Sequence, residues 1–190
     1  MIRPYGGALL CLGALGCAQL LGLGDGELAD GGPGASDGGA LRVFVTQQTH
    51  KAYLNNAAGA DQICDSAAST ATQPLGGVWT AYLTDSAGDP IGRITANGPW
   101  YLVDQTTLVF ADRQALLGTT ALLDRDENGA QVLHSDLAWL GVKRDGGSCD
   151  CWNWTTYSLA GGAQQQIGSW GTAGTCASCD GQAHLYCIEQ

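Results

Sequence analysis

Basic residues are the first thing this chain lacks. It carries 8 Lys and Arg against 18 Asp and Glu, for a formal net charge of −10. Only the stretch VKRD places two cations side by side. Nucleic acid and anionic membrane surfaces both require clustered Lys and Arg, so neither is expected as a partner. Charged residues of both signs make up only 14% of the chain, while glycine reaches 29 residues. That balance suits a loop-rich fold better than a helical bundle. No internal repeat is present. Histidines number three, His50, His134 and His184. A nucleophile elbow, a His-Glu-x-x-His motif and a phosphate loop are all absent, and no carboxylate pair stands at a convincing spacing. The sequence therefore predicts no enzyme. At 190 residues there is room for one domain and a tail, and 45% hydrophobic residues are enough for a buried core.

No apolar run is long enough to span a bilayer securely. The N-terminus instead reads as an address. MIRPYGGALLCLGALGCAQLLG has one early cation, Arg3, followed by an apolar run from Gly6 to Gly16. It has the form of a bacterial secretory signal. Ala14-Leu15-Gly16-Cys17 is similar to a lipobox, in which a small residue precedes the cysteine that receives lipid. Residues 1–17 are thus expected to be a lipoprotein signal with Cys17 as the lipidated residue. A plain cleaved signal and an anchor helix running on to Leu23 are the competing readings. Residues 18–40 include GDGELADGGPGASDGGA, which has almost nothing to bury and is expected to act as a flexible tether. The folded domain is expected over residues 41–190. The expected address is the cell envelope, at the outer membrane or cell surface, held there by the lipid anchor.

Within that domain LRVFVT alternates as a strand. AGADQIC places Ala60, Ile63, Cys64 and Ala67 at helical spacing, which turns a cysteine inward. VWTAYLTD, TLVF, LAWLGV and AHLYCIE read as strands, and a further one follows the Asn97-Gly98 turn. ADRQALLG reads as a short second helix, and ALLDRDENGAQVL as a hairpin tipped by Asn128-Gly129. From Lys143 to Asp180 the chain is rich in Gly, Thr, Ser, Trp and Cys without clear periodicity, so a long irregular loop is expected. Six cysteines lie in the domain, four of them in this region. Covalent staples would hold a loop that has no hydrogen-bond ladder of its own.

Those four, Cys149, Cys151, Cys176 and Cys179, form Cys-x-Cys and Cys-x-x-Cys. Four thiolates suit tetrahedral zinc. Export argues instead for half-cystines, because thiols outside the cytoplasm tend to be oxidised. A redox Cys-x-x-Cys is a third reading, although the strand-then-helix setting that lowers a thiol pKa is missing. DRDENG is a second candidate. Asp124, Asp126, Asn128 and Gly129 match the opening of a calcium loop, and calcium is the ion those oxygens would suit. The twelfth position is Ser135 where the bidentate Glu belongs, and a hairpin tip explains the same letters. No resident cofactor is otherwise expected.

RVFVT, AGADQIC, VWTAYLTDS, GPWYLVD, LDRDENG, GGSCDCW and ASCDGQAHLYCIEQ, in that order, resemble the bacterial endostatin-like domain family of the C-type-lectin-like superfamily. The family includes leptospiral endostatin-like lipoproteins, and the resemblance spans about Leu41 to Gln190. It implies an α+β fold with two helices, antiparallel sheets and a long disulfide-stapled loop region. It also implies a bridge from the first helix to the last strand, Cys64–Cys187. An inner bridge maps onto Cys149–Cys179 and leaves Cys151–Cys176 as an extra pair. The superfamily's calcium-dependent sugar triplets do not carry over. Gln73-Pro74 is followed by Leu75, and Trp152-Asn153-Trp154 lacks the Asp. The lipobox, the flexible tether and the disulfide-stapled loop region together point to a surface-tethered, non-catalytic binding module for an extracellular protein or glycan, a category the resemblance shares. Its ligand face would lie between Arg144 and Thr175, with Trp152, Asn153, Trp154 and Trp170 as contacts. The same tryptophans could instead pack on the disulfides as core. The competing functions are a secreted metal-dependent enzyme using Asp124 and Asp126, and a structural envelope protein.

Overall fold

The computed structural model describes residues 40–84, 89–118, 122–140, 151–155, 160–166 and 175–190, with the backbone alone at Trp152, 160–166 and 175–177. These residues form a mixed α+β fold. Its centre is a five-stranded sheet, ordered β3 (Trp79–Ala81), β10 (Tyr186–Glu189), β1 (Leu41–Val45), β4 (Trp100–Leu102) and β5 (Leu108–Phe110). β1 runs antiparallel to β10, with Val43 opposite Ile188, and parallel to β4. The first and last strands of the domain are therefore neighbours at the middle of the sheet. Period-two alternation sends their side chains to opposite faces. Val43, Val45, Tyr186 and Ile188 enter one core cluster with Trp100, Leu102 and Phe110. Phe44 and Cys187 enter the other, which holds Cys64, Trp79, Trp139 and Trp154.

The main helix, α1 (Asn56–Thr70), lies on that second cluster. Its buried residues Ala57, Ala60, Cys64 and Ala68 recur at helical spacing. Asn55 and Asn56 both have left-handed φ, which asparagine tolerates better than most residues. From that geometry Asn56 Oδ1 accepts from the Ala58 and Gly59 N–H groups and starts the helix. The helix also seals a sheet edge. Asp65 accepts from Trp79 N at 2.9 Å and Asp61 from Ala81 N at 2.8 Å, which takes the outward N–H groups of the edge strand β3. Those donors would otherwise be open to pairing with another strand. Burial raises the Asp61 carboxyl above its ordinary value, against the pull of the Ala81 N–H and of Arg93.

Arg42, on the same face as Phe44 and over the Trp79 ring, locks the helix-facing surface of the sheet. Its Nε and Nη2 fork onto Glu189 at 2.8 and 2.7 Å, and Nη2 also donates to Gly76 O at 2.7 Å. Glu189 is only 3% exposed, so this is an enclosed, charge-assisted pair. Gly77 sits at φ 101° with Glu189 Oε1 where a Cβ would go, so no other residue fits there without displacing the carboxylate.

Two smaller sheets flank this frame. β2 (His50–Lys51) pairs with β9 (Gln182–Ala183), and β6 (Leu137–Trp139), β7 (Ala160–Gln166) and β8 (Thr175–Ser178) form the other. β7 and β8 fall inside the stretch expected to be irregular, which is a correction. AGGAQQQ has no apolar alternation to mark a strand, and its pairing comes from β6 and β8 rather than from its own pattern. The expected second helix is also corrected. Arg113–Leu117 is a short 3₁₀ turn, and apart from the four-residue helical turn Cys151–Trp154, α1 is the only α-helix among the described residues.

The bridges depart from expectation in one respect. Cys64 of α1 is joined to Cys187 of β10. Cys151, however, is joined to Cys179, in place of both Cys149–Cys179 and Cys151–Cys176. The reason lies in the backbone of the Cys151–Trp154 turn. Cys151, Asn153 and Trp154 have left-handed φ of 48°, 56° and 61°. That conformation is costly for residues with a side chain. It turns Cys151 inward, where the residue is 3% exposed beside a fully buried Cys179. Cys149 and the side chain of Cys176 lie outside the described residues.

Candidate functional site

The tryptophans come first, because the sequence offered them as ligand contacts. Trp154 is 0% exposed and stacks edge-on to Trp139, with ring centroids 5.8 Å apart. Its Nε1 donates to Thr84 O at 2.7 Å. It is core, and its candidacy as a ligand contact is withdrawn. Asn153 is half-buried, and its Oδ1 is enclosed without a hydrogen-bond partner. The Trp152 side chain, Trp170 and Cys17 lie outside the described residues.

DRDENG forms the expected hairpin. Arg125 bridges Gln131, Asp126 N donates to Ala130 O, and Gly129 N donates to Asp126 O. Most of the oxygens considered for calcium are turned to other work, while Asp124 Oδ1 is enclosed without a hydrogen-bond partner. Asp126 Oδ1 accepts from Asn128 N and Ala130 N, at 2.9 and 2.8 Å. Asn128 Oδ1 accepts from both the N–H and the hydroxyl of Thr72, tying the tip to the end of α1. Asp124 is 2% exposed, and its Oδ2 accepts from Gln131 Nε2 and His134 Nε2, each at 3.1 Å. Among the described residues no three His, Cys, Asp or Glu side chains gather closely enough to hold a metal ion.

What the hairpin does build is a wall. Val45 N donates to Arg125 O, and a parallel bridge joins Val45 to Asp126, so the hairpin is fixed to the end of β1. Glu127 then projects beside the last turns of α1. It lines two clefts. One, about 220 Å³, is bounded by Thr46, Gln48 and His50 on one side and by Ile63, Ser66, Ala67 and Thr70 of α1 on the other. The second, about 320 Å³, is bounded by Thr72, Gln73, Leu75, Val103, Asp104, Asn128 and Gly129. Glu127 stands between them, so together they make a polar groove along the end of the helix.

The groove's chemistry is set by what lies beneath it. Thr46 is 1% exposed. Its hydroxyl donates to Gln48 O and accepts from Leu185 N. Thr46 O lies 2.6 Å from His184 Nδ1. A carbonyl only accepts, so that nitrogen carries the proton. Buried His184 is thus fixed in orientation under the floor. Burial, then the nearby His184, lowers the His50 pKa and favours a neutral imidazole. Burial raises the Glu127 carboxyl, although its Oε2 accepts from Gln47 N at 2.8 Å. Across the groove Asp104 is held at about 2, first by the Thr107 hydroxyl and then by the Thr107 and Thr106 N–H groups.

Compared with protein-family models and with curated proteins, the chain matches none. The site must be judged on its own geometry. Its lining offers a carboxylate, a neutral imidazole, hydroxyls and amides, which together can hydrogen-bond a polar ligand. It holds no activated nucleophile within reach of a base among the described contacts. Nothing in the residue order alone points to this groove. Thr46, His50, Ser66, Thr70 and Glu127 come from three separate segments, and no spacing rule unites them. The Asn-Gly tip was the one usable signal, because it fixes where Glu127 can project.

Proposed function

We propose that the chain is a non-catalytic binding module for extracellular protein or glycan ligands, in a C-type-lectin-like arrangement, displayed at the cell envelope by lipid on Cys17 and the tether of residues 18–40. The observation that carries the reading is the double cleft around Glu127. Its walls mix hydrogen-bonding side chains with the apolar Ile63, Ala67, Leu75 and Val103, and it is built on a scaffold that two disulfides constrain. Recognition is commonly carried by such surfaces on a rigid frame. The neighbouring first and last strands and the Cys64–Cys187 bridge between helix and final strand support the C-type-lectin-like assignment. Among the described residues no helix is long and apolar enough to cross a membrane.

The test is a screen of the intact chain against immobilised extracellular-matrix proteins and a glycan array. Ligands are expected that lose binding in Thr70→Trp, which fills the smaller cleft at an exposed helical position. A hit unaffected by that change would place recognition elsewhere. Absence of any hit together with catalytic turnover would return the protein to the enzyme reading.

A further inference from the structure

The fold engages its cations internally. Arg42 is forked onto Glu189, and Arg93 Nη2 donates to Asp61 Oδ2. Arg113 Nη2 donates to Ile91 O, and Arg125 Nε lies 3.6 Å from Asp124 Oδ1. Glu127 makes no such ion pair; burial raises its carboxyl pKa, and nearby His184 pulls it down against that effect. Among the described residues none of the ion pairs includes it, although it is half-buried and Asp126 stands beside it. A carboxylate in that position is costly to desolvate without a cation. Among the described residues the clefts on either side supply none: Asp104 lines the larger one, and no described Lys or Arg lines either. His50, the only imidazole in their linings, is held toward its neutral form. The last turn of α1, whose carbonyl end faces this region, carries no basic residue. Geometry and charge therefore describe the same missing group from several directions.

We infer that the groove receives an extended basic segment of a partner protein, with Lys or Arg side chains entering the two clefts on either side of Glu127. This rests on the groove reading above and names its ligand class. A neutral glycan leaves Glu127 uncompensated, and an acidic one is repelled by Glu127 and Asp104. The overall charge of −10 steers basic partners toward the surface and anionic ones away.

The experiment titrates the intact chain with a fluorescent peptide of lysines spaced by Gly and Ser, its arginine counterpart and a neutral serine control. Anisotropy is followed at low and physiological salt. Both basic peptides are expected to bind, more weakly as salt rises, and the control not at all. Glu127→Gln is expected to weaken binding about tenfold or more, the loss of one charge-assisted contact of about 1.4 kcal/mol. Asp104→Asn should weaken it less. Asp180→Asn, outside both linings, should leave it unchanged. Wild-type affinity in Glu127→Gln, or equal binding of the serine control, overturns the inference. A parallel amide-resonance titration with neutral oligosaccharides separates the two readings. Groove shifts with sugars but not with basic peptides overturn only the basic partner. Groove shifts with neither overturn the groove as well.

Discussion

Replacing Trp154 separates a core tryptophan from a ligand contact. The side chain is fully enclosed, packs edge-on to Trp139, and donates to Thr84 O. Trp154→Ala removes a large buried ring, which typically costs about 3–5 kcal/mol. Part of that is the edge-to-face contact with Trp139, about 0.5–1.5 kcal/mol. Trp154→Phe keeps most of the apolar volume and deletes the donor, leaving Thr84 O without that partner. An unsatisfied buried acceptor costs about 1–3 kcal/mol. The two variants should therefore fall in that order in urea unfolding followed by far-ultraviolet circular dichroism. A domain of this size has only about 5–15 kcal/mol in total, so the alanine variant should be visibly marginal at room temperature. Trp154→Phe should bind any ligand of the groove as well as wild type. A Trp154→Ala protein within about 1 kcal/mol of wild type that has lost ligand binding would refute the burial argument.

Removing one partner from the Arg42–Glu189 pair strands the other in an enclosed place, so Arg42→Ala should cost about 3–5 kcal/mol in the same assay, and a loss under about 1 kcal/mol would show the pair to be solvated. The Asp104 carboxyl is depressed, so its contribution is present above the ordinary carboxylate pKa and disappears as pH falls toward about 2. Carbon-13 NMR should place its midpoint near that value, and Thr107→Ala should raise it, because the Thr107 hydroxyl is the largest cause. The Cys151–Cys179 bridge closes a separation of 28 residues, for which loop-closure entropy gives about 3–4 kcal/mol. The double alanine variant should lose about that much. Peptide mapping without reduction should recover Cys151 linked to Cys179, and a Cys149–Cys179 peptide would contradict the fold of that turn.

Much of the frame is readable from residues alone, and the reasons are local. LRVFVT and YCIE alternate, so their strands and their two-faced burial follow from the period. Ala60 and Cys64 lie one helical turn apart, which is enough to orient the helix and aim a thiol at the core. Asn128-Gly129 demands a turn wherever it sits between paired segments. Other features escape because their causes are distant. Ala160–Gln166 becomes a strand through its neighbours, and nothing in AGGAQQQ states that. Which of two cysteines one residue apart meets Cys179 depends on left-handed φ at Cys151, which the letters do not encode. The groove is less legible still. Its members share no spacing, and Glu127 becomes distinctive only when three segments converge and leave it without a cation. Conversely, the residues whose letters looked most functional, Trp154, Asp126 and Asn128, serve the fold.

The central claim is that recognition occurs along the end of α1 around Glu127. The most direct test is amide chemical-shift mapping of the intact, isotope-labelled chain titrated with the ligand recovered from the binding screen. The expected result is saturable shifts at Thr46, Gln48, Ser66, Thr70, Thr72 and Glu127, with the buried strands β1 and β10 undisturbed. Shifts confined to the separate cleft lined by Ile91, Asn97 and Gln114, or to the Cys151–Thr155 turn, would contradict it.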